Sequence, residues 1–276
     1  MSGPLILDDC DLFDISKFSF TDSVKGENNE QLTYFAQYNY GNHTSQVIFK
    51  TDPIKITKYG IPPIGHYIKQ DKDRNYILIP HDPSQSSCNK LFNMLAKLDE
   101  FMVNPETKKK LFGNKADKFK YVPLIKTPQD PDYEDEDEDI YKKKTMHNKI
   151  TKLNYCKVKF LNDYVTKNLT TSVFKKAYNG DAKLIENIKT VTDLNNYLYW
   201  GSVARFAIIV TRIWANKIAH PGSVRKEYGI TLKCLQIEVA EPVPVYNNKY
   251  FEKNYIFGPD KKNNDDKYDY NKVLEI

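Results

Sequence analysis

Alternating apolar and polar positions predict short β-strands in the first third of the chain. Residues 31–40 and 45–50 are rich in Tyr, Phe, Val and Ile, and they flank Gly41-Asn42. β-Branched and aromatic segments on either side of such a turn predict a β-hairpin. Residues 54–59 and 75–79 have the same character, and they predict two further short strands.

The pattern changes to a helical period after residue 85. Apolar side chains recur at steps of three and four residues over 86–103, at Leu91, Met94, Leu95, Leu98, Phe101 and Met102. This spacing predicts an amphipathic helix that begins at a Ser86 or Ser87 N-cap, packs on the sheet and ends before Pro105. Similar spacing over 184–191 predicts a second helix, and Asp193 is a candidate cap for a short third one.

The strongest strand patterns lie in the second half of the chain. Residues 202–214 are apolar on both faces, which predicts a central strand covered on each side, and 228–239 predict its neighbour. Residues 118–126 predict a strand interrupted at Pro123. Over 154–160 every second residue is apolar, so Tyr155, Lys157 and Lys159 are expected on the solvent face.

Many short strands with a few helices, and no alternation of strand and helix, predict a mainly β or α+β fold. We expect an OB-like five-stranded barrel with one to three packed helices over residues 31–240. Residues 1–30 are expected to form an N-terminal arm, residues 128–148 a disordered acidic insertion, and residues 241–276 a loose C-terminal tail.

Charge distribution favours a polyanionic partner. The formal net charge is +5, yet residues 130–139 alone contain eight carboxylates, so the remainder of the chain carries +13. A basic body attracts polyanions and releases their counterions on binding. The acidic tract has three open interpretations: a solvated segment, a competitor for the basic surface, or a segment that recruits replication proteins.

Sequence signatures of catalysis and metal binding are absent. The chain contains no GxxxxGK[ST], GxGxxG, GxSxG or HExxH motif, and its five histidines are isolated from any nucleophile motif. Its four cysteines are far apart and lack a CxxC pair, which is typical of buried thiols in a reducing compartment. We therefore expect an intracellular protein that is not an enzyme and uses no metal or cofactor. The sequence shows neither a signal peptide nor an apolar stretch long enough to span a bilayer.

Rings and cations recur together on predicted strands. Binding of single-stranded nucleic acid requires cations beside the phosphates and exposed rings on which bases stack. Tyr155, Lys157 and Lys159 provide one such set, and Arg212 with Trp214 provides another, which leads into Lys217. A third lies over 118–126, with Lys118, Lys120, Tyr121 and Lys126.

Two blocks, SVARFAIIVTRIWANK at 202–217 and KEYGITLKCLQIEV at 226–239, resemble the single-stranded-DNA-binding proteins of nucleocytoplasmic large DNA viruses. That family in turn resembles the OB-fold replication proteins of T7-type phages. The resemblance implies an OB fold that coats single strands during replication or recombination, in the viral factory of the host cytoplasm or in the virion. It adds to the candidate binding residues Arg205, Tyr228 and Lys233.

Other functional classes remain open at this point. The same rings would serve a structural virion or scaffold protein by packing in a protein interface. An RNA-binding factor would share every feature described above and would differ in its response to the 2′-hydroxyl. A homodimer is compatible with each of these functions.

Overall fold

The computed structural model describes residues 3–25, 31–65, 68–128, 152–177 and 180–240. The chain divides into a compact unit, Met1–Glu241, and a second stretch, Pro242–Ile276, which lies outside the described residues. The predicted acidic insertion and the predicted tail also fall outside them. None of the helices in the described ranges is long and apolar enough to cross a membrane.

The described residues form a mainly β structure, which confirms the predicted fold class at that level. The strands are β1 (Leu5–Leu7), β2 (Phe18–Phe20), β3 (Val24–Lys25), β4 (Gln31–Tyr40), β5 (His43–Ser45), β6 (Val47–Lys50), β7 (Ile54–Lys55), β8 (Tyr76–Pro80), β9 (Phe119–Tyr121), β10 (Ile125–Lys126), β11 (Tyr155–Phe160), β12 (Ser172–Lys176), β13 (Ala182–Leu184), β14 (Val203–Asn216) and β15 (Lys226–Ala240). The helices are α1 (Ser86–Val103), α2 (Pro105–Phe112) and α3 (Val191–Asn195), with 3₁₀ turns at Cys10–Leu12, Ile15–Lys17, Asp71–Arg74 and Gly113–Lys118. The expected count of five strands is therefore wrong, because several short strands pair in turn with each of the two long strands, β14 and β15.

β14 and β15 form the centre of the sheet. They pair antiparallel from Ala204 opposite Val239 to Ala215 opposite Tyr228. On its other side β14 pairs in succession with β7, β6 and β4, all antiparallel. β15 pairs in parallel with β9, β11 and β12, and β11 continues the sheet to β8 and β10. The sheet curls into a half-barrel. The prediction that β14 is central is confirmed, but the prediction that it is covered on each side is wrong, because Arg212 is exposed on the side away from the core.

A β-bulge in β14 sets which side chains face the core. Phe206, Ile208 and Val210 are buried, and the register then shifts between Val210 and Arg212. The extra residue changes the phase of the alternation, so the buried positions continue as Ile213 and Ala215. Residues 205 and 212 consequently lie on the same face, although they are seven positions apart.

Helix α1 covers the core side of the sheet. It has the predicted bounds, and Leu91, Leu95 and Leu98 on its apolar face are fully buried. Its N-cap is Gln85, which makes no side-chain capping bond, so the predicted serine cap is wrong. Helix α2 follows directly, with Pro105 as its first residue and the Asn104 side chain accepting from the Glu106 backbone N–H.

The N-terminal residues belong to the core, contrary to the predicted arm over residues 1–30. β1 pairs in parallel with β6, and β2 pairs with β4. Phe13 and Phe18 are buried beside Tyr38, whose hydroxyl accepts from the Asp14 backbone N–H at 2.9 Å. Burial of these rings removes apolar surface from water, and this outweighs the polar character of the segment.

The helix predicted over 184–191 is also wrong. Leu184 is the last residue of β13, which pairs with β12, and the Ile185 backbone N–H donates to the Val173 carbonyl at 2.8 Å, so the start of this stretch extends the sheet instead of beginning a helix. Helix α3 begins later, at Val191, where the Thr190 side chain caps it and the Asp193 carboxylate returns a bond to the Thr190 backbone N–H. The cap is therefore Thr190, with Asp193 as its partner.

Candidate nucleic-acid interface

The face of the sheet opposite the core carries most of the candidate cations, together with the rings of Tyr155 and Trp214. Along β11 the residues Cys156, Val158 and Phe160 are buried, while the lysines at 157 and 159 are exposed. This confirms the alternation predicted for β11. We call the side of β8, β10, β11, β14 and β15 that faces away from the core the outer face.

Five cations lie on the outer face, and we refer to them as the cation cluster: Lys126, Lys157, Lys159, Arg212 and Lys233. Strand pairing brings them together from four elements. Lys159 lies opposite Lys233 in the β11–β15 pair, and Lys126 lies opposite Tyr155 in the β10–β11 pair. Residues separated by more than a hundred positions in sequence thus form one positive surface.

The positive charges in this cluster repel one another. The pKa of Lys159 is lowered by partial burial and then by the charges of Arg212 and Lys233. The pKa of Lys157 is lowered by partial burial and by Lys159 and Lys126. Like charges held close together favour a bound anion, because the anion relieves their repulsion.

No carboxylate of the described ranges lies within 4 Å of the cationic groups in this cluster. Other lysines on the molecule are neutralised, as Lys90 is by Asp9 and Asp52 at 2.5 and 2.8 Å. The cluster therefore has unused capacity for anions such as phosphates.

Trp214 lies beside the cations, seated on β15. It is opposite Gly229, and a Cβ at that glycine would come within 2.9 Å of the indole Cζ2. The half-buried indole lines two adjoining depressions, one of about 300 Å³ with Lys159 and Arg212, and one of about 150 Å³ with Lys126, Lys157 and Lys159. An aromatic face and several cations thus share one surface.

Further rings border the cluster. Tyr155 is half-buried and packs against Tyr59 at a centroid distance of 5.1 Å. Lys157 Nζ lies 3.6 Å from the ring centre of Tyr76, a cation–π contact. Phe35 is 45% exposed and lies opposite Arg212 in the β4–β14 pair. Sequence reasoning missed Phe35, since its place beside a cation depends on a strand register that no local pattern reveals.

Arg205 lies on the outer face but away from the cluster. Its guanidinium is 3.3 Å from Glu238 Oε1, and its Nε donates to the Thr51 carbonyl at 3.2 Å. It lines a separate depression of about 300 Å³ with Phe174 and Gln236. Its charge is therefore matched locally.

The predicted role of Tyr121 and Tyr228 as stacking rings is wrong. Both are buried, at 7% and 0% exposure, on the core side of β9 and β15. Tyr121 donates its hydroxyl to Asp99 at 2.7 Å, and Tyr228 donates to the Met102 carbonyl at 2.6 Å. Burial raises the pKa of both phenols. Neither ring presents a face to a base.

Three predicted lysines lie at the margins. Lys120 is exposed on β9, opposite Glu227 in the pairing with β15. Lys118 ends the 3₁₀ turn before β9, and Lys217 follows the last residue of β14. None of the three lines the depressions beside Trp214.

Metal-ligating groups do not converge in the described ranges, where no three His, Cys, Asp or Glu side chains form a candidate site. All four cysteines are free and buried. Burial raises the pKa of the Cys10 thiol to about 12, and it also raises the pKa values of the other three. These thiols are protonated core residues.

Comparison with known proteins finds a relative in sequence and a weak likeness in structure. No protein-family profile matches the chain. The chain is 31% identical over 248 residues to the uncharacterized protein R505 of Acanthamoeba polyphaga mimivirus, a match that covers 83% of this chain and 58% of that protein. The chain thus spans less than two thirds of its relative. The crystal structure of gp2.5, a single-stranded DNA binding protein encoded by bacteriophage T7, is weakly similar, with a TM-score of 0.32 and 9% identity. The alignment covers 78% of this chain and 98% of gp2.5.

Proposed function

We propose that this chain binds single-stranded DNA on the outer face of the sheet, without strong sequence preference along most of the strand. The observation that supports this is the cation cluster around Trp214, which has no carboxylate partner among the described residues. Cations contact phosphates, and stacking on a ring contributes about 1–3 kcal/mol per base. Trp214, Tyr155 and Phe35 are the stacking residues of this proposal.

The proposal includes the predicted OB-like barrel and a non-catalytic role in protecting single strands during viral-type replication or recombination. In an OB fold the strands present rings and cations to a bound strand. The half-barrel built on β14 and β15 presents Trp214 and Arg212 from one strand and Lys233 from its neighbour. Binding of replication proteins by the acidic tract at 130–139 also remains a proposal, since that tract lies outside the described residues.

Tryptophan fluorescence tests the proposal. The chain has two tryptophans, and Trp200 is 75% exposed with its Nε1–H bonded to the Thr57 carbonyl. In a Trp200→Phe background, adding oligo-dT should quench Trp214. Affinity should fall with salt at a log–log slope of about −3.5, which is about −0.7 for each of five phosphate contacts. Duplex DNA of equal length should bind more weakly.

A matched pair of variants distinguishes the contribution of the cation cluster to binding from that of positive charge elsewhere on the protein. Replacing Lys126, Lys157 and Lys159 with Gln should weaken oligo-dT binding and reduce the salt slope by about 2. The control replaces Lys97, Lys109 and Lys110, exposed on α1 and α2, and should leave binding unchanged. Equal losses in both variants would contradict the proposed site.

The same titration addresses the other functional classes. Oligo-U that binds as tightly as oligo-dT would extend the function to RNA. Absence of quenching with either polymer would overturn the proposal, and it would leave the scaffold function as the remaining interpretation.

A further inference from the structure

The depression beside Trp214 has a polar rim whose chemistry differs from that of the rest of the outer face. Gln31 Nε2 donates to Asn216 Oδ1 at 2.9 Å, and Asn216 Nδ2 lies 3.4 Å from His220 Nε2. His220 Nε2 in turn lies 3.3 Å from Glu227 Oε2. His220 Nε2 is a single atom that either donates to the Glu227 carboxylate or accepts from the Asn216 amide, and these polar groups line one wall of the depression of about 300 Å³.

Glu227 is an unusual residue for a phosphate-binding surface. It lies two positions before Gly229 on β15, so both residues face the same side as Trp214. Its carboxylate opposes the binding of phosphates, and its side chain is 34% exposed at the depression. A carboxylate beside a stacking ring is suited to accept hydrogen bonds from the edge of a base.

We infer that this depression is a subsite that prefers guanine, an inference that rests on the proposed single-stranded DNA binding. Guanine presents two adjacent donors, N1–H and N2–H, on its Watson–Crick edge, and a carboxylate accepts both at once. Adenine, cytosine and thymine each present a single donor group on that edge, next to acceptors that a carboxylate repels. The base stacks on Trp214, and its Watson–Crick edge meets Glu227.

The cations of the same depression favour the same base. Arg212 and Lys159 are donors, and guanine offers acceptors at O6 and N7, the atoms that arginine and lysine contact most often in DNA recognition. Guanine is therefore the base that combines two donors for Glu227 with two acceptors for the cations. Lys126, Lys157 and Lys233 contact phosphates whatever the sequence, and Arg212 and Lys159 do so where no guanine occupies the depression.

Oligonucleotides that differ at one position test this subsite. A dT oligomer with a single central guanine cannot form a quadruplex, and it should bind about tenfold more tightly than the all-dT oligomer, since a good bidentate pair is worth about 1–3 kcal/mol of discrimination. A single adenine or cytosine should give no comparable gain. Inosine in place of guanine lacks the N2 amino group and should lose most of the preference.

Glu227→Gln tests the residue, because an amide presents one acceptor and one donor and cannot accept from both guanine donors. The variant should lose the guanine preference and bind plain dT more tightly, as a negative charge is removed. Glu238→Gln is the matched control, since it removes an equal charge from the same face where Glu238 pairs with Arg205. It should retain the guanine preference.

Each outcome is decisive. Equal affinity for the guanine and all-dT oligomers, or a preference that survives in Glu227→Gln, would overturn the guanine subsite while dT binding still supported the proposed function. Failure of both oligomers to bind would overturn the function itself, and the subsite with it.

Discussion

Trp214 reaches its seat on β15 because position 229 carries no side chain. A methyl group at Gly229 would lie 2.9 Å from Cζ2 and 3.1 Å from Cε2 of the indole, closer than van der Waals contact allows. Glycine weakens a strand interior, and it is tolerated where another group approaches the backbone closely. Glycine at position 229 therefore lowers the local β propensity, and it allows the indole to pack against the strand backbone in a fixed position.

Gly229→Ala should displace the indole and weaken oligo-dT binding by about tenfold, comparable to the loss of one stacked base. Trp214 emission in the Trp200→Phe background should shift, because the ring moves into a new environment. Gly3→Ala is the control, since nothing lies within 4 Å of its added methyl group. Unchanged emission and affinity in Gly229→Ala would show that the seat does not position the ring.

Lys159→Gln should stabilise the protein near neutral pH while it weakens DNA binding. Burial and the charges of Arg212 and Lys233 lower the folded-state pKa of Lys159 below its ordinary value of 10.5. The unfolded chain then binds this proton more tightly than the folded protein does, so the charged lysine lowers stability at pH 7. Stability recovers as the pH rises from the folded-state pKa of Lys159 to above its unfolded-state pKa. Solvent screening limits the gain in the variant to about 0.5 kcal/mol.

Urea unfolding at pH 7 and pH 10.5 measures this effect. The stability difference between Lys159→Gln and the parent should shrink at the higher pH, and taking the difference cancels the opposing titration of the buried Tyr121 and Tyr228. Lys97→Gln on α1 is the control for loss of a lysine charge outside the cation cluster. A Lys159→Gln variant that is less stable than the parent at pH 7 would contradict the mutual repulsion within the cluster.

Helix α1 holds the strand segment that carries Lys126. The Asp99 carboxylate accepts from the backbone N–H groups of Leu124 and Ile125 at 2.8 and 3.2 Å, and from the Tyr121 hydroxyl. One side chain of the helix thus fixes the irregular stretch between β9 and β10, where Pro123 interrupts the strand. Burial raises the pKa of Asp99, because the carboxylate is partly removed from the water that would solvate its charge.

Asp99→Ala should lower the free energy of unfolding by about 1–3 kcal/mol, because it leaves three donors without their acceptor. Binding of oligo-dT should weaken as well, since Lys126 loses its anchor. Glu100→Ala, an exposed neighbour on the same helix, is the control and should change neither quantity. Urea unfolding and fluorescence titration check both, and a neutral Asp99→Ala would mean that strand pairing alone holds this segment.

Local patterns were sufficient for elements whose two faces differ. The alternation in β11 correctly predicted the outward Tyr155, Lys157 and Lys159, and the helical period correctly predicted α1. Local patterns were insufficient where contacts with residues far away in sequence decide which face of a strand is buried. Tyr228 has the residue type of a stacking ring, yet its hydroxyl bonds to Met102, 126 positions away.

Phase changes in the long strands also lie beyond sequence reasoning. Strict alternation along β14 would place Arg205 and Arg212 on opposite faces, and the bulge after Val210 brings both to the outer face. Phe35 lies beside Arg212 because β4 pairs with β14, and no local pattern reveals that pairing. Residue type predicted the chemistry of the site, while register and bulges decided which residues share it.

Charge is unevenly distributed over the whole chain. Eight carboxylates at 130–139 offset a remainder that carries +13, and the segment that contains them joins β10 to β11. Both ends of that segment are therefore attached beside members of the outer face, at Lys126 and Tyr155. Because the chain attaches these carboxylates to strands of the proposed binding surface, we expect them to oppose DNA binding through the field they create.

Replacing the eight carboxylates with Asn and Gln should tighten oligo-dT binding by about tenfold at an ionic strength of about 0.01 M, where charges act over about 30 Å. The gain should disappear near 1 M salt, where screening shortens that distance to about 3 Å. Amide replacement removes the charge and keeps the length of the segment. A deletion would change both the charge and the length. Glu100→Gln and Glu106→Gln, which remove exposed carboxylates from α1 and α2, are the control for loss of negative charge elsewhere. Affinity that stays constant at low salt would show that the acidic tract does not act on the outer face.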